Sequence, residues 1–203
     1  FVAFIVAGIL SLAGYSGLAV FFVAAFFAII YAASYGYTLE KIAYRPLRKT
    51  QRLSALISAI GASIFLTNYV QLAQTADFLP FPELISEFDF MAPIANYLSA
   101  TDALIVLITT ITMLALSFLI KYTRIGKAMR ATQQDIVMAR LVGINVDRVI
   151  SATFIIGSVL AAIAGILIAS RTGQINGAIG FVAGLKAFTA AVLGGIGNIP
   201  GAV

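Results

Sequence analysis

The 203-residue sequence contains no cysteine and no histidine. Without thiols there is no disulfide framework and no thiol nucleophile, and without either residue there is no zinc site of the usual donors and no imidazole base. Charge is also scarce: Asp, Glu, Lys and Arg make up 10% of the chain, against 61% hydrophobic residues, and the mean hydropathy is +1.03. A soluble domain of this composition would aggregate, so the chain is a membrane protein by composition. The net charge of +5 does not gather on one soluble face, so nucleic acid is not an expected partner.

A helix needs about 20 mostly apolar residues to cross the hydrocarbon core. The candidates are 1–13, 18–39, 53–75, 102–120 and 149–170, followed by a shorter run at 181–193. A cleaved signal peptide would show one short apolar core before a polar mature domain, whereas these runs recur to the end. The expected fold is therefore all-α, a polytopic bundle of transmembrane helices. Phe1 stands inside an apolar run and Val203 follows a glycine cluster, so residues 1–203 read as one membrane domain clipped at both ends.

The basic residues sort by connection. Lys41, Arg45, Arg48, Lys49 and Arg52 fill the second connection, and Lys121, Arg124, Lys127, Arg130, Arg140 and Arg148 fill the fourth. That accounts for all but Arg171 and Lys186. The third connection, 76–101, has no Lys or Arg but carries Asp77, Glu83, Glu87 and Asp89. The positive-inside rule makes the two basic connections cytoplasmic and the acidic one external. Gly14 to Gly17 and Thr172 to Gly180 are then outer turns.

Two stretches depart from simple spans. Phe181 to Leu193 is too short to cross, and Gly194-Gly195-Ile196-Gly197-Asn198-Ile199-Pro200-Gly201 cannot continue a regular helix. A broken or re-entrant helix inside the bundle is expected, because irregular backbone at membrane depth needs protein or a watery cavity around it. Residues 126–148 are cytoplasmic and polar, with apolar residues at Ile136, Ala139, Leu141 and Val142. They read as short amphipathic helices beneath the membrane.

All eight carboxylates lie in connections or at span edges, which counts against a proton- or sodium-coupled transporter that needs an acid deep in a helix. The glycine cluster lacks the Gly-Lys-Ser/Thr ending of a nucleotide loop and follows a membrane helix rather than a strand. No catalytic side-chain set is present, so an enzyme is not expected; driven transport would draw its energy from another subunit. Gly157, Ala161, Gly165 and Ala169 form a small-residue stripe suited to close packing, within the bundle or at a seam with a second permease. Ser54, Ser58, Gly61, Asn68, Gln71 and Thr75 form a polar stripe, either for interhelical hydrogen bonds or for a translocation path. Lys186 near the outer start of its run either snorkels, bonds to glycine carbonyls or serves a gate. Arg45-Pro46-Leu47-Arg48 is a topology anchor or a contact for an ATPase or membrane lipid.

Four segments carry a resemblance. They are Glu40 with Ala43-Tyr44-Arg45-Pro46-Leu47-Arg48; Ser63-Ile64-Phe65-Leu66 with Asn68; Gly126-Lys127-Ala128-Met129-Arg130-Ala131 through Asp135, Ala139 and Leu141-Val142-Gly143-Ile144-Asn145; and Lys186 through Gly201. Together they resemble the LivH family of branched-chain amino acid ABC transporter permeases over about residues 40–75 and 120–203. The resemblance implies an inner-membrane permease that pairs with a second permease, two cytoplasmic ATPases that hold ATP and magnesium, and a periplasmic amino-acid-binding protein. It makes 121–148 the ATPase-coupling loop, with Gly126, Arg130, Asp135, Ala139, Leu141 and Gly143 as its residues; Ala139 and Gly143 match the alanine and glycine of the coupling motif. Val137, Met138 and Ala139 stand where the general motif has a glutamate and two alanines. A solvated helix with a capping glycine is the plainer reading of that segment. The implied substrate path runs by Ser58, Asn68, Gln71, Lys186, Gly194, Gly195, Gly197 and Asn198. A related permease for urea, amides or other amino acids, and an ATP-independent channel, are the alternatives.

Overall fold

The computed structural model describes residues 1–12, 17–49, 52–74, 77–81 and 100–195. The helices are α1 (Val2–Leu12), α2 (Gly17–Leu39), α3 (Arg52–Ala73), α4 (Ala100–Tyr122), α5 (Arg124–Gln134), α6 (Ile136–Leu141), α7 (Val146–Thr172) and α8 (Ile179–Leu193). Two short strands, β1 (Leu79–Pro80) and β2 (Gln174–Ile175), pair antiparallel. Three stretches, Ala19–Tyr44, Asp102–Tyr122 and Val146–Thr172, are helical, long and apolar enough to cross a membrane, and shorter apolar helices cover Val2–Leu12, Ile57–Ala73 and Ile179–Leu193. The chain is a multi-pass membrane protein.

The outer faces of these helices are as apolar as their packed faces. Val106, Leu107, Ile111, Leu114 and Phe118 of α4 are all exposed, as suits contact with lipid or further protein. Several polar side chains within the spans bond to their own helix. Thr110 and Thr112 donate to the carbonyls of Val106 and Ile108 at 2.7 Å each, Ser34 to Ile30 at 2.8 Å and Asn68 to Ile64 at 2.8 Å. A hydroxyl whose proton is bonded in this way needs no further acceptor, whereas a carboxamide so bonded keeps a second N–H and its oxygen. Asn68 of the polar stripe thus places one of its two N–H groups on its own helix.

The core lies at the end of the bundle that carries the acidic connection. Ala3 and Ala7 of α1 sit one turn apart on one face and let that helix settle on Val20, Phe21 and Ala24 of α2; Ile166, Leu167 and Ala169 of α7, with Phe81 and Ile175, complete the cluster. Gly173 closes α7 in the left-handed region at φ 64°, its N–H bonding to the Ala169 carbonyl at 2.9 Å. The chain then turns back, so that Leu79 faces Ile175, Pro80 faces Gln174, and the Phe81 N–H donates to the Gly173 carbonyl at 2.9 Å. Two segments expected on the same side of the membrane thus pair with each other. Arg171, an exception to the sorting of basic residues, meets Asp102 at 3.3 Å across α7 and α4 at this end. Both groups are largely exposed, so the pair contributes about 0–1 kcal/mol.

At the basic end α2 does not simply stop. It widens into a π-turn, Glu40–Tyr44, in which the Arg45 N–H reaches back five residues to the Glu40 carbonyl at 2.8 Å. A 3-10 turn, Pro46–Lys49, leads on toward α3. Pro46 opens that turn, where its missing donor costs nothing.

The small-residue stripe on α7 does not pack within the chain as its spacing suggests. Gly157, Ala161 and Gly165 are exposed, with open space where a β-carbon on either glycine would stand, and only Ala169 is buried. Close approach is made instead by Gly36 of α2, which lies against Ser158 and Phe154 of α7. α8 buries none of its residues and ends at Gly194, with Gly195 at φ 88°. The expected break continues beyond Gly195, outside the described residues.

Candidate functional site

α5 and α6 form a corner at the basic end, and each turn of it has an identifiable cause. Thr123 caps α5, accepting from the Gly126 N–H at 3.1 Å while donating to the Leu119 carbonyl at 2.6 Å. Gly126 is buried where a β-carbon would stand 2.6 Å from the Ile120 carbonyl carbon and collide with the Leu119 and Ile120 oxygens. Only glycine lets α5 fold back so closely on the end of α4. Arg130 reaches the Lys121 carbonyl at 3.4 Å, helping to satisfy the open carbonyls there.

Asp135 caps α6 through one oxygen that accepts from the N–H groups of Val137 at 2.7 Å and Met138 at 3.1 Å. α6 ends with Gly143 at φ 85°, Gly143 N–H bonding to Arg140 O at 3.0 Å and Ile144 N–H to Ala139 O at 2.9 Å. This is the paired-bond ending that favours glycine past a helix C-terminus. Two residues later Asn145 caps α7, accepting from Arg148 N–H at 3.1 Å. Ala139 is 3% exposed, whereas Ile136, Val137, Met138, Leu141 and Val142 are between 48% and 75% exposed. The small residue of the segment faces the protein, and the large apolar ones face out, flanked by exposed Arg140 and Arg148.

Beside this corner, α2 and α7 are joined by polar contacts that no local sequence pattern announces. Glu40 is 1% exposed, and its Oε2 accepts from the Ser151 hydroxyl at 2.7 Å across 111 residues of sequence. The same hydroxyl lies 3.0 Å from the Asp147 carbonyl; having a single proton, it shares it between the two. Arg45 approaches Asp147 at 3.9 Å, and the rings of Tyr44 and Phe154 lie 4.8 Å apart.

Two openings flank α2 between these ends. A cavity of about 410 Å³ lies among α1, α2, α3, α7 and the β2 turn; Tyr31, Tyr69, Gln74 and Asn176 are the polar groups of a wall otherwise made of residues such as Ala28, Ile166 and Ala169. Among the described residues no charged side chain lines it. A second opening of about 520 Å³ between α2 and α3 is lined by Tyr35, Thr38, Ser58, Gly61 and Phe65.

The candidate residues fall into one compact group and one scattered one. Gly126, Arg130, Asp135, Ala139, Leu141 and Gly143 share the α4–α7 corner, where four of them shape the backbone. Of the path candidates, Ser58 lines the second opening, Asn68 bonds to its own helix, and Gln71 packs against the Gly177 turn, where a β-carbon on Gly177 would meet its Cγ at 2.9 Å. Lys186 is exposed at the middle of α8 rather than near its outer start. Gly194 and Gly195 end that helix, and Gly197 and Asn198 lie outside the described residues. Tyr31, Tyr69, Gln74 and Asn176 had no periodic signal to single them out.

The family model described as the permease component of branched-chain amino acid transport systems matches residues 1–203. The chain is 50% identical over 179 residues to the high-affinity branched-chain amino acid transport system permease protein LivH of Salmonella typhimurium and to that of Escherichia coli K12. Each match covers 87% of this chain and 58% of LivH. It is 45% identical over 207 residues to the permease protein BraD of Pseudomonas aeruginosa, covering 100% of this chain and 67% of BraD. The chain thus spans under three-fifths of the length of the LivH relatives. No solved structure matches it.

Proposed function

The chain belongs to the branched-chain amino acid transport permease family, and on that premise we propose that it is the membrane path of an ATP-driven, binding-protein-dependent importer of branched-chain or closely related amino acids. It acts in the inner membrane with a second permease subunit, two cytoplasmic ATPases and a periplasmic amino-acid-binding protein. ATP and magnesium belong to the ATPases, and this chain catalyses no reaction itself.

The observation that carries the reading is the α5–α6 corner. It projects a short helix whose exposed apolar residues, Ile136, Val137, Met138, Leu141 and Val142, have no lipid core to enter if the basic connections are cytoplasmic. Such a patch, rimmed by charge, suits a protein partner. ATP binding closes the ATPase pair, moves this corner and re-orients the spans around the tyrosine-lined openings. Among the described residues those openings have aromatic and aliphatic walls with few polar groups and no charged side chain, which suit an aliphatic side chain and leave most of the selection to the binding protein.

The test is uptake into proteoliposomes holding the full-length permease with its ATPases and binding protein, comparing leucine, urea and ribose with and without ATP. Leucine uptake that requires both ATP and the binding protein is the expected result. Flux indifferent to ATP would replace the importer reading with a channel, and ATP-driven uptake of urea alone would move the substrate class.

A further inference from the structure

We infer that Glu40 is a positioning residue that locks the basic end of α2 to the first turns of α7, so that movement of α5 and α6 reaches the helix lining both openings. The inference rests on the importer reading above and adds a named route within it.

The route is short and stiff. Between α6 and α7 lie only Val142 to Asn145, and both ends of that link are fixed: Gly143 and Ile144 bond back into α6, and Asn145 caps α7. α6 cannot tilt without carrying the start of α7. Ser151, on the second turn of α7, holds the buried Glu40 carboxyl at 2.7 Å. The π-turn at Glu40–Tyr44 displaces the backbone register there, and such turns recur at functional positions. The seam continues through Tyr44 against Phe154 and Gly36 against Ser158, so the basic half of α2 and α7 form one body. Tyr31 of α2 lines the 410 Å³ cavity, and Tyr35 and Thr38 line the other opening.

The experiment measures ATP hydrolysis and leucine uptake in the same proteoliposomes, using the full-length permease with its partners, for Ser151→Ala, Glu40→Ala and the conservative Ser151→Thr. The two alanine variants should hydrolyse ATP as the wild type does while uptake per ATP falls about tenfold, within the usual span of a coupling free energy; Ser151→Thr should stay coupled. Residues 1–203 contain no cysteine, so in a full-length permease whose remaining cysteines, and those of its partners, have been replaced, a Glu40→Cys/Ser151→Cys pair can be bridged by a short bis-methanethiosulfonate reagent. Bridging should restore uptake per ATP, which repair of a merely structural defect elsewhere would not do. A proportional fall of hydrolysis and uptake, normal coupling in both alanine variants, or a bridge that restores nothing would overturn the inference while leaving the importer reading intact. Wild-type vesicles without ATP-driven uptake would remove both.

Discussion

Gly36 of α2 lies so close to α7 that a β-carbon placed on it would stand 2.7 Å from that of Ser158 and 3.3 Å from the Phe154 carbonyl oxygen. Two helices meet here backbone to backbone, as membrane helices do when dispersion and not water exclusion holds them. Gly36→Ala forces them apart and should cost about 1–3 kcal/mol as an overpacked contact, lowering the thermal unfolding midpoint of the detergent-purified protein. Ser158→Gly, which removes the opposing β-carbon, should recover part of that loss in the double variant. An unchanged midpoint in Gly36→Ala would show that the two helices separate freely at this point.

Gly36 also marks where the sequence stopped being informative. Span positions follow from hydropathy because lipid demands length and apolarity, and the short helices of the α5–α6 corner follow from the apolar residues Ile136, Ala139, Leu141 and Val142 in an otherwise polar stretch, whereas their caps at Thr123, Asp135 and Asn145 came only with the structure. Which face of a span is packed does not follow, since lipid and protein interior are equally apolar. Hence the four-residue stripe from Gly157 pointed to packing that only Ala169 makes, while Gly36 carried no pattern at all. Glu40 was visible as a residue at a span edge, but its bond to Ser151 joins positions 111 residues apart. Lys186 was placed by its distance from an apolar boundary, and two extra helical residues at the start of α8 put it at mid-helix.

Asp135 caps α6 and in this role needs only an acceptor, not a charge. Asp135→Asn should therefore keep the binding-protein-stimulated ATPase activity of the assembled importer, whereas Asp135→Ala should lower it and destabilise the short helix by about 1 kcal/mol. The stimulated rate across the three forms decides the matter. A loss in Asp135→Asn equal to that in Asp135→Ala would mean that the carboxylate itself meets the ATPase.

Gly143 holds φ at 85°, where a side chain with a β-carbon costs about 1–2 kcal/mol and asparagine is the best-tolerated replacement. Nothing stands near its missing β-carbon, so the constraint comes from the backbone and not from crowding within the chain. Gly143→Asn should insert and fold normally and retain most ATPase stimulation. Gly143→Trp should insert but lose stimulation, because the bulk then projects from the surface proposed to meet the ATPase. Equal stimulation in the two variants, measured at matched membrane levels, would remove this turn from the contact.

Gly165 gives the most direct test of the 410 Å³ cavity, which it lines from α7. A β-carbon there meets no atom within 4 Å, so a larger side chain grows into open volume instead of displacing a neighbour. Leucine is also about 1 kcal/mol better than glycine in a helix interior, so Gly165→Leu should unfold no earlier than the wild type. If solute passes through this cavity, Gly165→Leu should slow leucine uptake several-fold while ATP hydrolysis continues, and Gly165→Ala should fall between the two. Stable protein with undiminished uptake in Gly165→Leu would place the path elsewhere, the second opening between α2 and α3, lined by Ser58 and Thr38, being one other route among the described residues.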